Sequence, residues 1–167
     1  TKGFRHIDIA VDPRVLVPRP ETELLVEVGL TLPHGARVHD ACTGSGAVAL
    51  ALKHERPDLI VSGSDASAGA IEVARANAQR LGLDVEFHVG DLLDGVGAVD
   101  AVLANPPYVE AGAQLPPELA HEPPGALFAG PDGLAVIRRL AAASRPELLA
   151  VEIGAGQAAA VADLLGG

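Results

Sequence analysis

Apolar positions recur along the chain in two rhythms, one of period two and one near 3.6. Residues 4–17 alternate loosely, with Ile7, Ile9 and Val11 in step, and predict a short hairpin or extended arm. Pro18-Arg19-Pro20 then fixes an extended turn, because proline locks φ and turns the preceding residue away from helix. Residues 21–30 predict a helix with acids in its first turn and Leu24, Leu25 and Val28 on one face, ended by 33–35. From Ala36 onward strands and helices alternate. Strands are predicted over 36–40, 59–64, 85–89, 99–104 and 148–153, and helices over 46–54, 67–81, 133–143 and 157–165. The 67–81 helix has Ser67 as its cap, Gly82 as its stop, and Ile71, Ala74, Ala78 and Leu81 along its apolar stripe.

Strands separated by helices of this length pair in parallel through right-handed crossovers. The fourth and fifth strands are almost wholly apolar, as suits burial on both faces. The fold class is therefore α/β: a doubly wound, three-layer, Rossmann-like sheet, mostly parallel. Residues 1–35 form an arm, hairpin and helix that lead into a ligand-binding domain over 36–167. Residues 110–131 carry five prolines and no periodicity, which marks a lid, a binding loop or a mobile segment.

The chain has 167 residues, enough for one domain, and 49% of them are hydrophobic, which excludes a disordered tail. Only 2% are aromatic, so the core must be packed from aliphatic side chains. The net charge of −10 argues against direct binding of DNA or RNA, whose phosphates call for basic patches. A single cysteine, Cys42, forbids an internal disulfide and points to a reducing compartment, the cytoplasm. No apolar run reaches the roughly 20 residues of a membrane span, and Asp8 and Asp12 interrupt any leader-like stretch. A monomer is expected.

The strongest local signal is Asp40-Ala41-Cys42-Thr43-Gly44-Ser45-Gly46, after the first strand of the alternating series and before its helix. Open α/β sheets place their ligands there. The glycines permit a sharp turn and close approach, and the helix N-terminus offers free N–H groups to a carboxylate or phosphate. Asp65 follows Gly46 by 19 residues, where an acid can accept both hydroxyls of a ribose. Two cofactors fit. Gly44-x-Gly46-x-x-Ala49 matches the dinucleotide fingerprint; the same geometry serves S-adenosylmethionine, whose carboxylate takes the place of the pyrophosphate. Asp40 favours the second, since it can hold the ammonium of a methionine moiety. Asp91, after the third strand, would then lie beside the adenine amine.

Asn105-Pro106-Pro107-Tyr108, at the carboxyl end of the fourth strand, decides between them. An amide or aromatic NH2 is a weak nucleophile because its lone pair is delocalised. Asn105 Oδ1 and the Pro106 carbonyl can each accept one of its hydrogens and aim the nitrogen at a sulfonium methyl. Prolines stiffen the turn, and the Tyr108 ring can pack on a flat target group.

With these residues the sequence resembles class I S-adenosylmethionine-dependent methyltransferases, and among them the HemK-like release-factor glutamine N(5)-methyltransferases. The resemblance runs through Leu16-Val17-Pro18-Arg19-Pro20-Glu21-Thr22-Glu23, the Asp40 loop and Asn105 to Tyr108. It continues in Glu122-Pro123, Ala126-Leu127, Gly130, Asp132-Gly133-Leu134, Glu152-Ile153-Gly154 and Gln157. It implies S-adenosylmethionine as cofactor and S-adenosylhomocysteine as product. The substrate it implies is the glutamine of the Gly-Gly-Gln motif of class 1 peptide chain release factors. Asn105, Pro106 and Tyr108 would be catalytic. Asp40, Thr43, Gly44, Gly46, Asp65, Asp91 and Asn105 would bind the cofactor, and Pro18, Arg19, Asn105, Pro106, Pro107, Tyr108 and Glu122 the substrate.

Three departures from the family accompany this. Its small helical N-terminal domain, which helps dock the release factor, has no counterpart in the sequence. Its last two strands are missing too, leaving an open edge beside the fifth strand. Arg145-Pro146-Glu147 replaces its usual glycine turn. An adenine or ribosomal-protein glutamine acceptor, a nicotinamide-dependent oxidoreductase and a degenerate non-catalytic domain are the alternatives. The six histidines show no metal-ligand spacing, so no metal site is expected. His39 reads as packed, Cys42 as a bystander, Arg138-Arg139 as a solvated helix face, and His121 stands where the family usually has an aromatic.

Overall fold

The computed structural model describes residues 1–143 and 146–166; Arg145, expected in the turn before the fifth parallel strand, lies outside them. The chain opens with a hairpin, β1 (Lys2–Phe4) antiparallel to β2 (Ile7–Ile9), which buries Phe4, Ile7 and Ile9. The Arg5 guanidinium ties the hairpin down, pairing with Glu55 and, at 3.1 Å, with Glu27. A 3-10 turn, Pro20–Thr22, precedes α1 (Glu23–Leu30).

The parallel strands are β3 (Arg37–Ala41), β4 (Ile60–Asp65), β5 (Glu86–Val89), β6 (Ala101–Ala104) and β7 (Leu148–Val151). Between and after them lie α2 (Ala47–Glu55), α3 (Ala68–Leu81), α4 (Ala135–Ala142) and α5 (Ala158–Gly166). The Ser67 side chain accepts from Ala70 N at 3.2 Å and caps α3, and Gly82 ends it, as read from the sequence. The strand order is β5-β4-β3-β6-β7, all parallel. The order reverses between β3 and β6, so a crevice opens there beyond the strands' carboxyl ends.

Side chains alternate across the sheet. Val38, Val61, Phe87, Ala101 and Leu103 face the hairpin, α1, α2 and α3. Ala41, Val102 and Ala104 face Leu140 of α4 on the other side, and α5 packs on α4 through Val161. Leu50, Leu52, Leu59 and Ile71 are fully buried. Each contributes about 1.5–3 kcal/mol relative to exposure.

Among the differences from the sequence reading, four bear on the core and the sheet. Leu24 is 67% exposed, and the face of α1 that meets the core carries Leu25, Val26 and Gly29 instead. The fourth parallel strand begins at Ala101 rather than 99. The fifth is only half-buried, since among the described residues β7 pairs with β6 alone. On the second face α4 packs over β6, β7 and Ala41 at the end of β3, while His39, Ser62, Ser64 and His88 face the turn that follows β5. Among the described residues, no helix is long and apolar enough to cross a membrane, and no His/Cys/Asp/Glu group is placed to hold a metal ion.

Candidate active site

A cleft of about 590 Å³ lies over the carboxyl ends of β3, β4 and β6, within the range of small-molecule sites. Its floor is the glycine loop. One wall is the N-terminal arm at Arg14, Val15, Leu16 and Pro18; the other is Asn105, Pro107 and the 123–126 stretch of the long loop.

The loop is shaped by two carboxylates. Asp40, at 2% exposure, accepts from Thr43 Oγ1 at 2.6 Å and from Ala49 N in the first turn of α2 at 3.3 Å. Burial pushes its carboxyl up to about 7; the Thr43 and Ala49 hydrogen bonds oppose this, and the Asp65 carboxylate adds to it. Asp65 at the end of β4 accepts from Gly44 N at 2.9 Å and Ser67 N at 3.0 Å. It thus sits in the cleft while holding the loop to the start of α3. Gly46 lies behind the cleft rather than in it. Its φ is +83°, and a Cβ there would stand 3.0 Å from the Phe87 ring and 3.2 Å from Ala74. Its role in the structure is to let the loop settle on the core.

Asp91 also lines the cleft, with its carboxylate taken by Arg139 of α4. Arg139 is exposed, as read from the sequence, and also lines the cleft: α4 crosses above the turn after β5, a proximity set by tertiary packing. Arg14, the other cation of the lining, pairs with Asp12 at 2.6 Å and Glu72 at 2.8 Å. Among the described lining residues the charges are three carboxylates and two guanidiniums, both already paired. That set suits a ligand carrying positive charge. It offers a pyrophosphate no unpaired cation.

One buried side chain ties the arm to the glycine loop. The Asn77 amide of α3, 1% exposed, accepts from Ala10 N at 2.9 Å and donates to Ala10 O at 3.0 Å. It also donates to Ser45 O at 3.0 Å, so a single buried group joins arm, helix and glycine loop. Nothing in the local sequence marks Asn77, which reads as one polar residue on an amphipathic helix.

Asn105 follows β6 directly. Its Nδ2 donates to Thr22 Oγ1 at 3.4 Å, and Thr22 Oγ1 donates to Glu152 Oε2 at 2.6 Å. No donor among the described residues reaches Asn105 Oδ1 or the Pro106 carbonyl. Pro106 is buried below the lining, and Pro107 lines it. Tyr108 is half-buried beside the cleft, its ring against Gly154, and burial raises its phenol pKa, as does the Glu152 carboxylate. Its carbonyl accepts from Gln157 Nε2 at 2.9 Å, and Gln157 Oε1 accepts from Gly154 N at 2.8 Å. A Cβ at Gly133, whose φ is +76°, would stand 2.2 Å from the same carbonyl, so only glycine fits there.

Arg19 and Glu122 are outside the lining and bind each other at 2.9 Å, while Glu122 also accepts from Val17 N at 3.3 Å. They clip the long loop to the arm. The loop's neck is closed by Val109 N to Leu127 O, Ala129 N to Val109 O and Ala111 N to Gly130 O, each 2.8 Å. It is a closed Ω-like loop rather than a free strap. Thr22, Glu152 and Gln157 belong to the family resemblance with no role of their own in the sequence reading; their joint role depends on contacts across 49 to 130 residues of chain.

His39 is buried and pushed down to about 4 by burial and by neighbouring His88. Ser64 Oγ donates to Leu92 O, so it accepts from His39 Nε2, and His39 Nδ1 accepts from Ser62 Oγ; both contacts are 2.8 Å. That neutral tautomer is structural. Cys42 has φ +58°, and its thiol is pushed up to about 12 by burial and by the Asp65, Asp40 and Asp91 carboxylates.

Residues 20–150 match the methyltransferase small domain family. The chain is 47% identical over 149 residues to a release factor glutamine methyltransferase of Mycolicibacterium smegmatis, covering 85% of this chain and 53% of that protein. It is 44% identical to that of Rhodospirillum rubrum, covering 98% of this chain and 54% of that protein. The chain thus spans about half the length of the curated relatives it matches. In fold it is similar to a methyltransferase from Pyrococcus furiosus, with TM-score 0.72 and 18% identity over 96% of this chain and 77% of that one. A ribosomal protein L11 methylase from Lactobacillus delbrueckii subsp. bulgaricus gives 0.63 and 20% over 88% and 68%. A family match across most of the chain, joined to a parallel sheet whose glycine loop and Asn-Pro-Pro-Tyr turn share one cleft, settles its membership: the chain belongs to the methyltransferase small domain family.

Proposed function

We propose that this chain is the catalytic domain of an S-adenosylmethionine-dependent N-methyltransferase. Its acceptor is the side-chain amide of the Gly-Gly-Gln glutamine of class 1 peptide chain release factors. One observation carries the reading: an acidic cleft with no unpaired cation among its described lining residues has Asn105 and Pro107 in its wall, and no donor among the described residues reaches Asn105 Oδ1. The relatives named for release factor glutamine methylation support the choice of acceptor.

The donor set fits S-adenosylmethionine, which when bound supplies an electrophilic methyl on a positively charged sulfur. Asp40 would take the ammonium of the methionine moiety, which would relieve the cost of its burial. Asp65 would take the ribose hydroxyls, and the N-terminus of α2 behind Gly44 the carboxylate. Asp91, held by Arg139, would face the adenine. On the acceptor side, Asn105 Oδ1 and Pro106 O each take one hydrogen of a planar NH2. They hold the nitrogen in place and raise its electron density. No strong base is required, because an alkylated amide nitrogen still carrying its extra proton is acidic enough to lose it to water. The arm at Val15 to Pro18 and the loop at 123–126 narrow the cleft and keep water from the reacting centre.

The test is methyl transfer by the full-length protein to a purified release factor, followed by mass spectrometry of its Gly-Gly-Gln peptide. A one-methyl mass gain on the glutamine is the expected result. A folded protein that binds S-adenosylmethionine and leaves that peptide unmodified would overturn the assignment.

A further inference from the structure

A hydroxyl has one hydrogen, and at Thr22 that hydrogen is spoken for. Thr22 is 4% exposed on the 3-10 turn before α1 and still lines the cleft. Its Oγ1 lies 2.6 Å from Glu152 Oε2, a short contact in which the hydroxyl donates to the ionised carboxylate; burial raises the Glu152 carboxyl, and this hydrogen bond opposes that. Glu152 is itself fixed beside Asn105: its backbone N donates to the carbonyl of Ala104, the residue before Asn105, at 2.9 Å. Lone pairs are all that Thr22 Oγ1 has left to offer its other neighbour.

That neighbour is the Asn105 amide, one end of which donates while the other accepts. With Nδ2 toward Thr22, 3.4 Å away, donor meets lone pair. With the amide flipped, Oδ1 would face an oxygen whose hydrogen is engaged elsewhere, and Nδ2 would point where an acceptor is needed. We propose that Thr22 and Glu152 form a positioning relay that fixes the flip of the Asn105 amide and so keeps Oδ1 turned toward the methyl acceptor. The relay joins the 3-10 turn, the end of β6 and the end of β7, residues 83 and 130 positions apart. Neither residue touches the reacting atoms in this scheme; both act through Asn105. The inference rests on the reading that Asn105 Oδ1 receives an NH2 group.

The test uses the 15N-labelled full-length protein with S-adenosylhomocysteine. In the wild type, the Asn105 side-chain NH2 shows a contact to the Thr22 methyl and slowed proton exchange. Thr22→Ser keeps the slowed exchange, and Thr22→Val loses it. In the methyl-transfer assay on a Gly-Gly-Gln peptide, Thr22→Val lowers kcat about tenfold or more while the KM for S-adenosylmethionine stays within about twofold. Thr22→Ser stays within about threefold of wild type in kcat. Glu152→Leu matches Thr22→Val, and the double variant is no worse than either, because the two act as one unit. Should either variant fail to fold, Glu152→Gln keeps an accepting oxygen and is expected to retain most activity. An unchanged Asn105 NH2 signal in Thr22→Val, equal damage from Thr22→Ser and Thr22→Val, or losses that add in the double variant would each overturn the relay. A wild type that leaves the peptide unmethylated removes the proposed function instead, while the NMR arm still reports on the relay.

Discussion

Replacing Asp40 with asparagine tests whether the cleft is built around a missing positive charge. Asp40 is 2% exposed, and its carboxyl titrates at about 7 instead of 3.8. That separation corresponds to about 4 kcal/mol between the ionised and neutral forms. The unfolded chain gives up this proton near 3.8, and the folded chain holds it until about 7. Between those values folding retains a proton that unfolding releases, so stability falls as pH rises, and above about 7 the full loss is present. Asparagine has nearly the same shape and no charge, and its Oδ1 can keep the bonds from Thr43 and Ala49. The ligand-free variant should therefore melt higher than wild type at about pH 8, by on the order of 10 °C for a chain of this length. The two should converge only below about pH 3, where neither state of the wild type is ionised. S-adenosylmethionine should then raise the melting temperature of the wild type more than that of the variant, since only the wild type has a buried charge to offset. Calorimetric melts across this pH range, with and without the ligand, read both effects. A variant less stable than wild type at about pH 8, or a difference that does not narrow with acid, refutes the burial argument. Equal ligand-induced shifts refute the cation reading.

Three further outcomes follow from the site. Asn105→Ala should lower kcat by about 10²–10³ while titration calorimetry shows S-adenosylmethionine affinity little changed, and Asp65→Ala should do the reverse. Equal loss of both in Asn105→Ala would make Asn105 a wall of the cofactor pocket. Asn77→Ala removes two hydrogen bonds to the arm and one to the glycine loop and strands their partners, costing about 2–3 kcal/mol in urea unfolding and opening the arm to proteolysis. An arm as protease-resistant as in the wild type would show that the arm is held elsewhere. Cys42, with its thiol pushed up to about 12, should react slowly with iodoacetamide near neutral pH; fast alkylation would contradict its burial among carboxylates.

The strand-helix alternation, the cap of α3, the glycine loop and the Asn-Pro-Pro-Tyr turn were legible in the residues alone, because each is local chemistry: a period, a hydrogen-bonding side chain beside free N–H groups, a proline-stiffened turn. So was the grouping of Asp40, Asp65 and Asn105, since parallel strands deliver their carboxyl ends to one edge of the sheet. What escaped was the company these groups keep. Glu122 and Arg19, read as substrate contacts, bind each other; Arg139, solvated as read, also holds Asp91; and Gly46, read as a ligand contact, rests on Phe87. The half-exposure of β7 and the cover that α4 gives to β6, β7 and Ala41 depend on which strand lies at an edge and where α4 comes to rest. Local propensity reaches only a few residues along the chain. A hydroxyl such as Thr22 acquires its direction from a carboxylate 130 residues away, and that partnership exists only once the sheet has closed and the core has packed.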